Sequence, residues 1–182
     1  KSIPLMEKAV AIDSAFAMAY RSLGMSYGNL GYPAEYRKNV QKAFDLSDRA
    51  SDRERYIIQG DYYKSSEKTY DKAIEVYDKL LGLYPEDLFG NVNSSVVYAA
   101  LEEWDKAIER NETAIKYKDD SVQAYSRVAD GYIAKGQYEK AKESPELYIK
   151  TYGDSTYIRS ELGFISRCQG KYDTGLLESE KG

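Results

Sequence analysis

Histidine is absent from the 182 residues, and cysteine occurs once, at Cys168. Without His the chain lacks the commonest general base and the commonest transition-metal ligand. A single Cys leaves no internal disulfide, no thiolate set for zinc or iron–sulfur clusters and no Cys/His nucleophile pair; Cys168 reads as a small helix residue. Long apolar runs are missing too. The longest, around Val96 to Leu101, is far short of the about 20 residues that cross a bilayer. Lys and Arg are scattered, and the formal net charge is −4, so neither a phosphate backbone nor an anionic lipid surface exerts a bulk attraction. No Gly-rich phosphate loop or catalytic Asp loop is present. The expectation is a chain with no catalytic residues, metal or cofactor, no nucleic-acid partner and no membrane-inserted segment.

Tyrosine, in contrast, is abundant, with 19 residues, and much of it falls in register. YDKAI begins at Tyr70, WDKAI at Trp104, YEKAK at Tyr138 and YDTGL at Tyr172, each 34 residues after the one before. Gly24, Gly60, Ser95, Ala129 and Gly163 form a column of small residues, and three residues on stand Tyr27, Tyr63, Tyr98, Tyr132 and Ser166. Four residues before the small column lie Tyr20, Tyr56, Asn91, Tyr125 and Arg159. Further columns are Tyr36, Ala73, Ala107, Ala141 and Gly175, and Ala9, Ala43, Leu80, Ala114 and Tyr148. Spacings of three and four put these slots on one helical face. A small residue lets two helices approach and an aromatic fills the space beside it. Turn signals fall between the periodic stretches: Gly31, Gly136 and Gly170 where a helix should stop, and Tyr84-Pro85 between two units. The period stretches near Ser47 to Asp52 and Ser65 to Lys68, which are sites for a longer turn.

The 34-residue period, the small residue followed by Tyr, the Ala early in the second helix and the terminal Pro resemble the tetratricopeptide-repeat family. The resemblance implies an all-α, right-handed α-α superhelix of about eleven antiparallel helices. It implies one domain over 1–182: the last helix of a truncated repeat at 1–16, whole repeats at 17–52, 53–87, 88–121 and 122–155, and a partial repeat at 156–182. The register starts inside a repeat and the chain does not begin with Met, so it reads as a piece of a longer, bacterial protein. Lys42 to Tyr63 is similar to repeat arrays beside serine/threonine kinases and other bacterial signalling domains. Compartment is not readable from the chain; a cytoplasmic setting is expected, or an extracytoplasmic one if the parent is membrane-anchored.

Departures from the family pattern carry their own expectations. Tyr36 stands where Ala is usual, so the hairpin of the first whole repeat should be looser. Gln59 and Ser94 stand where Leu is usual. Pro145 falls inside a second helix, which should kink or restart between Ala141 and Tyr148, because Pro removes one hydrogen bond and clashes with the preceding turn. The acid pairs Glu86-Asp87, Glu102-Glu103 and Asp119-Asp120 fall at helix starts, where capping and the helix dipole favour them, rather than forming a catalytic pair.

Binding in the family occurs in a concave groove lined by the first helix of each repeat. Carried over, the lining is Arg21 and Met25, with Met18 beside them; Ile57 and Asp61; Phe89, Val92, Asn93 and Val96; Gln123, Arg127 and Asp130; and Tyr157 and Glu161. One subfamily grips a C-terminal carboxylate, but only Asn93 and Arg127 match that clamp. Ile57 and Gln123 replace its lysines, and Asp61 would repel the ligand. The expected partner is a protein or peptide in this groove. The alternatives are an architectural spacer or self-assembly element, and a sensor or regulatory region of a bacterial serine/threonine kinase or other signalling enzyme; association through the ends of the array is also expected.

Overall fold

The computed structural model describes residues 3–117 and 120–180, so Asp119 of the third acid pair lies outside the described residues. Every regular element among them is helical: α1 (Ile3–Ile12), α2 (Ala17–Asn29), α3 (Pro33–Asp45), α4 (Asp52–Lys64), α5 (Tyr70–Leu83), α6 (Leu88–Ala100), α7 (Trp104–Lys116), α8 (Val122–Ala134), α9 (Tyr138–Tyr152), α10 (Thr156–Cys168) and α11 (Tyr172–Glu180). The fold class is all-α. The stretched places in the period become 3-10 turns at Ser47–Arg49 and Glu67–Thr69.

Two compact units divide at Asn93 and Ser94, inside α6. In the first, consecutive helices α1 to α5 pack on one another, and α2 also touches α4. In the second, α7 to α11 do the same, and α8 touches α10. Contacts therefore run to sequence neighbours and next-neighbours, as in a repeat protein.

The small column sets how closely paired helices lie. A Cβ on Gly60 would come 2.3 Å from the ring of Tyr77, which is fully buried. One on Gly163 would come 2.6 Å from the carbonyl of Gly175. The hairpin at Tyr36 is not loosened. Gly28 makes room for its ring, which a Cβ there would meet at 3.1 Å, and at Gly24 a Cβ would lie only 3.4 Å from the Tyr36 carbonyl. The bulk at one slot is offset by glycine at another.

The helix α9 also departs from expectation. It runs unbroken from Tyr138 to Tyr152 through Pro145, which is fully buried. A missing N–H ends a helix only when nothing else holds the next turn. Here Pro145 is packed inside, and next to it the Ser144 hydroxyl donates to the Tyr125 carbonyl at 3.0 Å.

Of the acid pairs expected at helix starts, Glu102-Glu103 supplies no side-chain cap to α7, while Glu86-Asp87 does cap its helix. Asp87 caps α6 by accepting the Gly90 N–H at 2.8 Å, and Ser51 and Glu54 form a reciprocal capping box on α4. Four hairpin turns share one construction, in which an N–H returns to the carbonyl of the aromatic-column slot: Tyr32 to Tyr27, Glu103 to Tyr98, Gln137 to Tyr132 and Lys171 to Ser166, at 2.8–3.0 Å. In the fifth, between α4 and α5, the Thr69 hydroxyl takes over and donates to the Tyr63 carbonyl at 2.5 Å.

The residue before each returning N–H has positive φ: Gly31 at 79°, Gly136 at 69°, Gly170 at 77°, and Glu102 at 59°. Glutamate in the left-handed region costs about 1–2 kcal/mol that glycine does not. Glu102→Gly is therefore expected to raise stability by about 0.5–1 kcal/mol after its unfolded-state entropy is counted. Urea unfolding should show a higher midpoint at unchanged slope; a lower midpoint would mean that the turn depends on the glutamate side chain.

Candidate functional site

The first helices of the hairpins carry the candidate residues, and each unit treats them differently. In the first unit the charged residues face one another. Arg21 on α2 donates from Nε to Asp61 Oδ2 on α4 at 2.7 Å, with the two residues 8% and 1% exposed. The Tyr77 hydroxyl donates to Asp61 Oδ1 at 3.0 Å, and Lys64 Nζ lies 3.2 Å from the same oxygen. Lys64 also donates to Asn93 Oδ1 at 2.6 Å. The Arg21 guanidinium sits 5.0 Å from the centroid of the half-exposed Phe89 ring. Burial, the Asp61 charge and the hydrogen bond to it all hold the Tyr77 phenol well above its usual value, so it stays a donor.

The position of these groups corrects the carried-over lining. Arg21, Ile57 and Asp61 are inside the unit, Ile57 with no exposed surface. Groove and core slots adjoin on a helix, and here these three fall on the core side. Met25, Val92 and Asn93 are half-buried, and Phe89 is the open residue of this set. Asp61 does not project towards a ligand; it is neutralised by Arg21 and Lys64. Lys64 and Tyr77 were not anticipated. Lys64 stands three residues after Asp61 on the same helical face, a spacing that would have pointed to it.

The second unit leaves its face open. Val96 on α6, Gln123 and Asp130 on α8 and Tyr157 on α10 are exposed, while Arg127 and Glu161 are half-buried. The Ser126 hydroxyl on α8 donates to Glu161 Oε2 on α10 and so joins the two helices. Desolvation, reinforced by the Asp130 charge and opposed by the Ser126 hydrogen bond, pushes the Glu161 carboxyl up to about 7. Desolvation also raises Asp130, with Arg127 pulling the other way. Phe164, 49% exposed and three residues beyond Glu161, was missed because the family slots carried over did not include it.

Depressions elsewhere are open to solvent. One of about 520 Å³ lies along α1 to α3 beside Val10, Leu23 and Tyr27, and one of about 300 Å³ lies along α7 to α9 beside Val128, Tyr132 and Leu147. Among the described residues, no group of three or more acidic or Cys side chains could hold a metal ion, and no helix is long and apolar enough to cross a membrane.

Comparison with known proteins accords with this architecture. Residues 54–87 match the sequence profile of the family described as Tetratricopeptide repeat. The chain is similar to human DnaJ homolog subfamily C member 7, 34% identical over 89 residues, covering 47% of this chain and 18% of that protein. It is similar to the Hsp70-Hsp90 organising protein of Plasmodium falciparum (isolate 3D7), 29% identical over 100 residues, covering 48% and 18%. The chain thus spans a quarter or less of the curated relatives it matches. Among solved structures it resembles PilW, a type IV pilus biogenesis factor, with a TM-score of 0.76 at 14% identity over 97% of this chain and 80% of that one. A thermophilic TPR protein of Thermus thermophilus gives 0.71 at 18% identity, covering 91% and 89%. At such identities the likeness shows the fold.

The Arg21–Asp61 pair is expected to be structural. Asp61→Ala should destabilise the chain by about 3–5 kcal/mol, because it strands Arg21 without its counter-charge, whereas Arg21→Met with Asp61→Leu should cost much less. Equilibrium urea unfolding of the three chains checks this; a single variant as stable as the parent would remove the pair from the fold's support.

Proposed function

We propose that this tetratricopeptide-repeat chain is a non-catalytic interaction scaffold that holds a protein segment against the open faces of its first helices. The observation that carries the reading is the set of large apolar side chains left uncovered there: Phe89 at 46%, Val96 at 37%, Tyr157 at 56% and Phe164 at 49% exposed. Each sits on a helix that buries a different face, and exposed apolar groups rimmed by charge mark protein-binding surfaces. A relative named for organising Hsp70 and Hsp90 is in keeping with a scaffold role. The open depressions are a poor match for a small-molecule enzyme site, which is usually an enclosed pocket with converging polar groups.

A second reading rests on the outermost helices. Leu5 and Ile12 on α1 are 62% and 88% exposed; Tyr172, Leu176 and Leu177 on α11 are 69%, 60% and 58% exposed. Such faces suit end-to-end self-association of solenoid units.

Two measurements separate these readings. In a bacterial lysate the parent chain should capture proteins that a Tyr157→Ala, Phe164→Ala double variant, altered only at exposed side chains, loses; equal capture by both would take the open face out of binding and leave the spacer reading. Sedimentation should show concentration-dependent association that Leu176→Glu with Leu177→Glu abolishes; a strict monomer at high concentration would end the self-association reading.

A further inference from the structure

We propose that the face formed by α8 and α10 takes a basic peptide segment, a Lys or Arg side chain seated between Asp130 and Glu161 with apolar neighbours on Tyr157 and Phe164. The inference rests on the scaffold reading and names its partner's chemistry. Tyr157, Glu161 and Phe164 follow one another at spacings of four and three, so they share one face of α10. The adjacent face, one residue on through Ile158, Leu162 and Ile165, is buried. The aromatic residues are therefore uncovered while their helix is fully anchored, and Ser126 fixes the Glu161 carboxylate beside α8.

Charge chooses the occupant. The face carries two carboxylates, Asp130 and Glu161, against one guanidinium, Arg127. Among the described residues no basic side chain pairs with Glu161. Helices α9 and α11 are also packed on α10, and one charged side chain of each is engaged away from Glu161. Lys142 of α9 bonds Gln169 and lies 3.6 Å from Glu139, and Glu178 of α11 pairs with Arg159. A half-buried carboxylate without a counter-ion calls for a cation, and an adjacent aromatic ring strengthens the binding of one. An acidic segment would meet two like charges.

The fold gives up stability to keep this carboxylate. A carboxyl held above its usual 4.5 retains its proton more tightly in the folded chain. Its contribution is full below about 4.5 and is lost as the pH climbs through about 7. Glutamine would keep the shape and the Ser126 bond without that loss. An ionised group retained where a neutral one is more stable is a mark of binding.

The test is selection of a random 12-residue phage-displayed peptide library on the immobilised chain at pH 8, followed by anisotropy titration of a labelled synthetic copy of the enriched peptide. The expected result is enrichment of Lys or Arg beside aromatic or aliphatic residues. The copy should bind on the order of tenfold more weakly at pH 6 than at pH 8, since Glu161 titrates at about 7 between them. Asp130→Asn with Glu161→Gln should weaken binding and remove the pH dependence, while Glu161→Gln alone should melt higher than the parent at pH 8. On the unaltered chain, a peptide with its basic residues changed to Glu should not bind, a control that needs no variant to fold. Enriched peptides without basic residues, or binding indifferent to the double variant, would overturn this inference and leave the scaffold reading in place. No enrichment of any peptide would overturn both.

Discussion

Close approach of two helices at a residue with almost no side chain is the constraint from which most of this structure follows. At Gly60 the whole space that a Cβ would need is taken by the Tyr77 ring, and at Gly163 by the Gly175 carbonyl. Once the two helices of a hairpin lie this close, the slot three residues on must fill the gap beside them. The chain must then reverse within a few residues, which four of the five described hairpins do through a residue in the left-handed region. Because each contact is to a neighbouring helix, no distant part of the chain is needed to satisfy it. The 34-residue period is thus a geometric condition written repeatedly, and deviations have to be offset locally, as Gly28 offsets Tyr36 and Thr69 replaces a backbone donor.

The same scaffold disposes of its polar groups in two ways. The first unit turns charge inward: Arg21, Lys64, Asp61 and Tyr77 satisfy one another, and Asn93 accepts from Lys64. A buried ion pair gains little over apolar packing, since desolvation offsets most of the Coulomb attraction, but removing one member is costly. The pair also joins α2 to α4 across forty residues of sequence. The second unit ties α8 to α10 with one hydroxyl–carboxylate bond and leaves the remaining charge facing outward. The first arrangement supports the fold; the second leaves Asp130 exposed and Glu161 without a counter-charge.

Element type, number and spacing were legible in the sequence because a small residue, an aromatic and a turn glycine each leave a letter that repeats. The turn at Glu102 was not, because its letter is not glycine although its backbone behaves as one. Pro145 misled for the opposite reason. Its letter signals a break, yet its burial keeps α9 whole. The candidate lining was legible by helix and less so by side. Ile57 and Asp61 stand beside the half-buried Tyr56 and Tyr62, and a family slot cannot say which way a helix is rolled by a few tens of degrees. What decided it for Asp61 was Arg21, forty residues away, a pairing that no local pattern announces.

Tyrosine shows how packing and function separate in such a chain. Tyr77 contacts the glycine column and is fully buried, while Tyr98 and Tyr125, in the aromatic columns, are 5% and 3% exposed. Tyr125, Tyr148 and Tyr152 meet ring to ring at 5.2–6.1 Å, as filling side chains do. Tyr157 belongs to none of the columns, and it is open. Tyr172 belongs to one and is open too, but the same slot in α5, α7 and α9 is half-buried. Exposure at Tyr172 goes with a helix that, among the described residues, packs mainly on α10. Tyr157 is exposed although its neighbour Ile158 is wholly buried. An uncovered aromatic on a well-anchored helix, outside every packing column and four residues from a carboxylate that lacks a counter-ion, is a residue whose identity the fold does not require, and the proposed partner rests on that.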